Sequence, residues 1–537
     1  MKVAVLGGYG VFGSRLCRLL VRDKHDVIVA GRNAESAGAL AQELDASSLT
    51  LDRAGNLAPL WAMAPDAIVD AAGPFHAYGD DPYRLAREAI ANGVHYLDLA
   101  DDADFCAGIK VLDEAAKAAG VFALSGMSSV PALSSAAVAA LREGADSIDL
   151  IETAILPGNR APRGQAVVDS ILFQAGTDID VTVDGAVTQV QSWSHAQVFD
   201  LPGGIKRRGY AIRVPDQSLF PAHFGARTVT FHAGLEVGLM NHGLAAFAWL
   251  RHKIGFGIPD WFARTVRRAA VLVGWLGTDT GGMSVRVVQR NGAQWHARTW
   301  RLLARKGEGP FIPAVSARTV LRKPYDVPTG ARAGLEAFTL TEAENAMSDL
   351  AVETDMAAEV LVPLFPSVLG TEFMTLAPAV QASHQVFAPK RLTGTARITR
   401  SRGIWPNLIA IIFGFPAAAQ DIPVRVLKTP HAKGETWVRQ FGRQSFMSHL
   451  RRGPRGITES FGPFTFDLGL YAKDGNLHYP ITGGRLGPLP LPTAFLPESV
   501  AVERAVDGAF TFDVSIRAPL TRQLIVRYEG TLFHTDR

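Results

Sequence analysis

The chain has 537 residues, 47% hydrophobic and 20% charged. This is a globular composition, too long for one hydrophobic core and expected to divide into roughly two to four domains. A net charge of +3 excludes a whole-chain basic field for nucleic acid, and two lone cysteines, Cys17 and Cys106, exclude a disulfide framework. A reducing, cytoplasmic location fits this cysteine usage.

Residues 2–6 (KVAVL) form an almost wholly apolar run, as a strand of a parallel sheet covered on both faces requires. The opening lysine and apolar run resemble the start of a signal peptide. The run is short and glycine-rich, however, and no small-residue cleavage site follows a long apolar segment, so a buried strand is expected. Gly7, Gly8, Tyr9, Gly10, Val11, Phe12 and Gly13 come next, and Gly8, Gly10 and Gly13 satisfy G-x-G-x-x-G. The first glycine permits a tight turn, the second lets backbone approach a pyrophosphate, and the third lets helix and strand pack closely. Val11, Phe12, Leu16, Leu19 and Leu20 then fall on one helical stripe. Residues 26–30 (DVIVA) supply a second strand. Strand, glycine turn, helix and strand in this order predict a dinucleotide-binding unit with the phosphates at the helix N-terminus.

The residue ending the second strand selects the cofactor. A carboxylate there would bind a ribose 2′-OH and repel a 2′-phosphate. This chain has Gly31-Arg32-Asn33 instead. A guanidinium can hold the phosphate through paired hydrogen bonds, so NADP(H) is expected, with Arg32 on the 2′-phosphate and Asn33 beside it.

Further strands are expected at 49–51, 67–72, 94–99 and 121–124, with helices at 83–92 and 104–119. This alternation predicts an α/β Rossmann-like, doubly wound parallel sheet over residues 1–130. Asp52 and Arg53 either flank the adenine or are solvated loop charges. The backbone of Ala72, Gly73 and Pro74 would lie along the nicotinamide side. Tyr78 and Asp98 are the candidate catalytic groups, with His95, Ser128 and Ser129 as further polar groups at strand ends. Each has a plainer alternative: a packed loop tyrosine for Tyr78, a helix cap for Asp98, and core packing for His95 and Tyr96.

Residues 131–345 read as an α+β substrate or dimerisation domain. A helix is expected at 165–176, strands at 180–190 and 283–289, and an acidic helix within 346–356. Arg160 and Arg163 either clamp an anionic group of a substrate or are solvated. No Tyr-x-x-x-Lys or H-E-x-x-H occurs, and the 14 histidines lack metal-ligand spacing, so no metal is expected. The glycine-rich 277–282 carries no P-loop lysine. No apolar run reaches the roughly 18 residues of a membrane span. The stretch 247–277, which interleaves Trp249, Phe256, Trp261 and Trp275 with arginines, suits either a membrane surface or a helix on the protein's own core. Residues 360–537 read as a mainly antiparallel β domain, a sandwich or an open cup, in which Phe510, Phe512, Val514 and Ile516 share one face.

Several of these segments together resemble the saccharopine dehydrogenase-like family of NADP-binding oxidoreductases. They are VLGGYGVFG, the AGR that ends the second strand, AAGPF with Tyr78-Gly79, GVHYLDLADD and SGMSSVPALSS. The resemblance continues more loosely through GTDTGGM, GEGPFIPA and GLEAFTL. From about residue 365, LFPSVLGTEF, GTARITR, ETWVRQFG, ESFGPFTF, GAFTFDVSI and RYEGTL resemble an uncharacterised domain that follows such reductases in some bacterial chains. The resemblance implies an oxidoreductase fold without picking a substrate, and it implies no activity for the last domain. The chain as a whole is expected to be an NADP(H)-dependent oxidoreductase acting on an unidentified small-molecule or lipid-like substrate. The competing expectation is a non-catalytic NADP(H)-binding sensor or scaffold, peripheral to the membrane. A homodimer is compatible with either.

Overall fold

A computed structural model describes residues 1–162, 171–255, 257, 275–454 and 456–534. They form two compact units. The first comprises Met1–Thr182, Val187–Asn291 and Ala297–Glu359, and the second Val183–Ala186, Gly292–His296 and Val360–Arg537.

The first unit opens with β1 (Lys2–Leu6), α1 (Val11–Arg22), β2 (Asp26–Gly31), α2 (Ala34–Leu44), β3 (Ser47–Thr50), α3 (Ala58–Ala62), β4 (Ala67–Asp70), α4 (Arg84–Ala91), β5 (His95–Asp98), α5 (Ala103–Gly108), α6 (Asp113–Ala118) and β6 (Phe122–Ser125). The expected helix over 104–119 is therefore broken: a 3-10 turn, Ile109–Leu112, separates α5 from α6. The strands form a seven-stranded sheet that adds a late strand, Gly330–Ala333, beside β6; the remaining order is β6-β5-β4-β1-β2-β3, and every pair is parallel. This is a doubly wound Rossmann sheet, with its switch point between β1 and β4. Val3, Ala4, Val5, Ile28, Val29, Ile68 and Val69 are fully buried, as strands covered on both faces should be.

After helix α7 (Ser134–Leu141), the chain builds a mixed nine-stranded sheet around the long central strand Ser147–Leu156. The expected single strand over 180–190 is a hairpin, Asp178–Val183 with Ala186–Gln191. Asp184 and Gly185 both take positive φ, +49° and +78°, at the turn; an Asp-Gly pair suits a tight hairpin of this kind. The expected acidic helix within 346–356 is also replaced. Helix Leu340–Ala346 ends, and Val352–Val360 becomes a strand at the edge of the sheet, where its alternating acids stay wet. The expected helix at 165–176 lies partly outside the described residues, as does 247–277. What is described of the latter belongs mostly to helix Gly238–Ile254, which exposes Leu239, Trp249 and Ile254.

Helix Ile312–Arg322 returns to the first sheet and packs on α1. Arg318, 1% exposed, grips Asp23 through two bonds of 2.8 Å and Asp349 at 2.6 and 3.1 Å. Arg322 adds two more bonds to Asp23. Burial works to raise the Asp23 carboxyl, but the two guanidinium groups hold it well below its usual range.

The second unit is dominated by one antiparallel sheet of thirteen strands, from Lys390–Arg400 to Leu524–His534. It is a single curled sheet rather than two stacked ones, so the cup of the two expected forms is the one observed. Phe510, Phe512 and Val514 face inward together as their alternation predicts. Among the described residues, no helix is long and apolar enough to cross a membrane.

Candidate nucleotide site

The glycine turn joins β1 to α1. Gly7 takes φ +70°, and a Cβ there would lie 2.7 Å from the Ala71 carbonyl oxygen. A Cβ on Gly13 would lie 2.2 Å from the Gly7 carbonyl oxygen, so helix and turn touch at this point. Gly10 precedes the first turn of α1, which has no side-chain cap and no acidic residue. The contrast with α2 and α5, capped by Asn33 and Asp102, is direct. An uncapped N-terminus leaves the N–H groups around Val11, Phe12 and Gly13 without side-chain partners, and the helix dipole favours an anion there.

Tyr9 closes the turn against the end of β2. Its hydroxyl accepts the Asn33 backbone N–H at 3.1 Å, and its ring occupies the space over Gly31, where a Cβ would meet it at 2.3 Å. Arg32 stands between these residues and is exposed. The Asn33 side chain accepts the Ser36 N–H and is spent on capping α2. Asp52 is exposed and folds onto its own loop, accepting the Ala54 N–H at 2.9 Å.

Arg53 turns inward instead of toward the rim. Its guanidinium pairs with Asp70 at 3.4 Å, donates to the Pro82 carbonyl at 3.0 Å and lies 3.3 Å from the centroid of the Tyr78 ring. The Tyr78 hydroxyl donates to Asp70, which also accepts the Ala72 N–H at 3.0 Å. Asp70 ends β4 and is fully buried, so burial raises its carboxyl while Arg53 opposes the rise. Burial and the Asp70 charge push the Tyr78 hydroxyl well above the usual phenol range, making it a weaker acid. Gly73 and Pro74 follow directly, so the Ala72–Gly73–Pro74 turn is tied to this cluster through Ala72.

Asp98 occupies the matching position at the end of β5. One oxygen accepts from Ser125 Oγ at 2.9 Å and from the Gly126 and Ala100 N–H groups at 2.8 and 3.0 Å. The other oxygen is buried without a hydrogen-bond partner, and burial pushes the carboxyl up to about 7. Asp98 is therefore not the cap of the following helix; Asp102 is. His95 accepts the Phe122 N–H and stacks on the Phe122 ring, and Tyr96 is buried, so both pack the core. Ser128 is nearly buried, and its carbonyl accepts from Ser316. Arg160 donates to the Trp275 carbonyl, while Arg163 lies outside the described residues.

Sequence reasoning missed Asp70 and Asp216. A charge ending an apolar strand was a usable signal for Asp70. Asp216, fully buried in the first turn of helix Pro215–Phe224 with its carboxyl pushed up to about 7, looks in sequence like an ordinary helix-start acid.

Parallel topology, the glycine turn and the uncapped helix define a Rossmann dinucleotide-binding domain. Residues 3–124 match the family model described as Saccharopine dehydrogenase NADP binding domain, and residues 376–532 match Domain of unknown function (DUF4166). The chain thus resembles the saccharopine dehydrogenase-like proteins at its start and a functionally uncharacterised domain at its end. None of the curated proteins compared with it matches. Among solved structures, apo saccharopine dehydrogenase (L-Glu forming) from Saccharomyces cerevisiae is similar at 14% identity and a TM-score of 0.46, over 66% of this chain and 99% of that one. A probable dehydrogenase from Thermotoga maritima is similar at 10% identity and a TM-score of 0.32, over 65% and 93% of the two chains. The WlbA (WbpB) dehydrogenase from Thermus thermophilus, in complex with NAD and UDP-GlcNAcA, is similar at 14% identity and a TM-score of 0.30, over 65% and 92%.

Proposed function

We propose that the chain is an NADP(H)-dependent oxidoreductase acting on a small-molecule or lipid-like substrate. The observation that carries this reading is the exposed Arg32 at the end of β2, beside a glycine cradle that any Cβ would fill and a helix N-terminus without a cap. The backbone of Gly7 to Gly13 would hold the pyrophosphate, Arg32 the 2′-phosphate, and the Ala72–Gly73–Pro74 turn the nicotinamide side, with Asp52 at the adenine rim. When bound, the nicotinamide supplies hydride transfer.

The residues around this site divide their work. Asp70, Arg53 and Tyr78 fix the turn after β4, which makes Tyr78 a positioning residue. Asp98 is fully buried at the end of β5, where burial pushes its carboxyl up to about 7 and one oxygen has no hydrogen-bond partner, and we read it as the proton donor of this site. An oxidoreductase consumes NADPH when offered a lipid or metabolite extract, and Asp98→Asn lowers kcat and removes a pH dependence near neutrality. Tight NADPH binding with no consumption in any extract supports the sensor reading instead.

A further inference from the structure

The sheet of the second unit curls around a cavity of about 280 Å³. This is near the lower end of ligand-sized pockets, roughly 300–1,000 Å³. It suits one apolar chain and is too small for a two-chain phospholipid. Its wall is overwhelmingly apolar and rich in aromatic rings, among them Phe441, Phe466, Phe512 and Tyr528.

The charged groups and the tyrosine hydroxyl nearest them at the wall are paired. Tyr479 bonds Glu503, which is also bonded by His384 from behind the wall, and Arg439 bonds Glu459 at 3.0 Å. Lys428 is the exception. It is 2% exposed, lines the cavity, and stands 4.1 Å from the centroid of the Trp437 ring. Two of its protons go to the Ser383 carbonyl and hydroxyl, both at 2.9 Å. No carboxylate of the described residues lies within 4.0 Å of it, although burial of the ammonium is opposed from farther off by the charges of Glu503 and Glu435. The third proton of Lys428 has no hydrogen-bond acceptor among the described residues, and an unmade bond on a buried cation is costly.

Helix Ile404–Ile412 roofs the cavity. Trp405, Ile409 and Ile412 line it. Ile404 and Ile411 are 91% and 75% exposed, so this helix is apolar on the side turned to solvent as well. Its one polar side chain, Asn407, is bonded to Arg400. Phe495, which also lines the cavity, is half exposed at its rim. Ile412 and Phe495 thus both line the cavity and reach solvent, so apolar side chains lead from the interior to the outside, as an entry path from a bilayer would require.

We propose that this domain is a binding cup for a single-chain fatty acid, with the alkyl chain among the aromatic residues and the carboxylate on Lys428. Helix Ile404–Ile412 is its entrance, and it takes the acid from a bilayer. The assignment is independent of the nucleotide reading and stands whether or not NADPH binds.

The test uses the full-length chain and cis-parinaric acid, a fluorescent fatty acid. One saturable site per chain is expected. Unlabelled saturated acids should compete about fourfold more tightly for each added methylene until the cavity is full. Ser499→Trp, which places an indole in the cavity, should abolish binding of both the acid and its methyl ester while thermal unfolding stays unchanged. Lys428→Met should weaken the acid about tenfold or more and leave the ester alone. No saturable binding of acid or ester by the unmodified chain overturns the proposal, as does a folded Ser499→Trp variant that binds normally. Equal loss or equal retention of acid and ester in folded Lys428→Met overturns the carboxylate assignment. Offering the probe free or in phosphatidylcholine vesicles decides its source. Slower uptake from vesicles alone in Ile411→Asp supports the bilayer, and unchanged uptake overturns that part.

Discussion

The phenolic oxygen of Tyr9 accepts the backbone N–H of Asn33 at 3.1 Å, locking the glycine turn to the end of the second strand. The turn that would hold the pyrophosphate and the residue that would read the ribose are thereby set against each other. Tyr9→Phe keeps the ring on Gly31 and loses the acceptor. A hydrogen bond of about 1 kcal/mol corresponds to roughly fivefold in affinity, so NADPH binding should weaken by about that factor in titration calorimetry.

Gly13 and Gly38 form a matched pair. A Cβ on Gly13 lands 2.2 Å from the Gly7 carbonyl, whereas a Cβ on Gly38 meets nothing within 4 Å. Gly13→Ala should abolish nucleotide binding and lower the unfolding midpoint. Gly38→Ala, inside helix α2, should raise stability by about 0.5–1 kcal/mol and leave binding intact. Thermal unfolding with and without NADPH reads both.

Asp98 sets a pH dependence. Its carboxyl is raised from its usual acidic range to about 7, so the folded chain binds a proton that the unfolded chain has released. Its contribution is complete below about pH 4 and is lost as pH rises through about 7. Asp98→Asn should flatten the fall in stability across this window by about one proton, measured by urea unfolding at a series of pH values. Asp216, raised to about the same value, leaves a residual slope in that variant.

Arg318 is buried between two carboxylates from opposite ends of the first unit, Asp23 and Asp349. Truncating one member of such a cluster leaves uncompensated charge. Arg318→Ala should cost about 3–5 kcal/mol, read by denaturant unfolding. Asp23, held low, contributes stability above the unfolded carboxyl range that is lost as pH falls. The variant should therefore also lose part of the chain's acid sensitivity.

What was legible in the sequence is what short-range pattern encodes. KVAVL and DVIVA are strands because they are apolar after their first, charged residue, and Gly8, Gly10 and Gly13 make the turn because their spacing leaves no room for Cβ. Phe510, Phe512 and Val514 share a face because a strand has period two. What was not legible depends on distant partners. Residues 330–333 join the first sheet only because β6 offers an open edge, and nothing local marks them. Arg53 reads as a rim charge until Asp70 and Tyr78 are brought to it. The acidic 346–356 stretch has helical composition, yet an open edge of the nine-stranded sheet captures its second half. Lys428 looks like any strand lysine until the curl of the sheet encloses it.

The most direct test of the cofactor assignment is equilibrium binding of NADPH and NADH, measured side by side on the unmodified chain and on Arg32→Ala. The guanidinium makes charge-assisted bonds of about 1.5–3 kcal/mol to a 2′-phosphate and none to a 2′-hydroxyl. The prediction is a preference for NADPH that falls by roughly tenfold to a hundredfold in Arg32→Ala, with NADH binding unchanged. Equal affinity for the two nucleotides in the unmodified chain, or a preference that survives in the variant, would contradict the assignment of Arg32 as the residue that selects the cofactor.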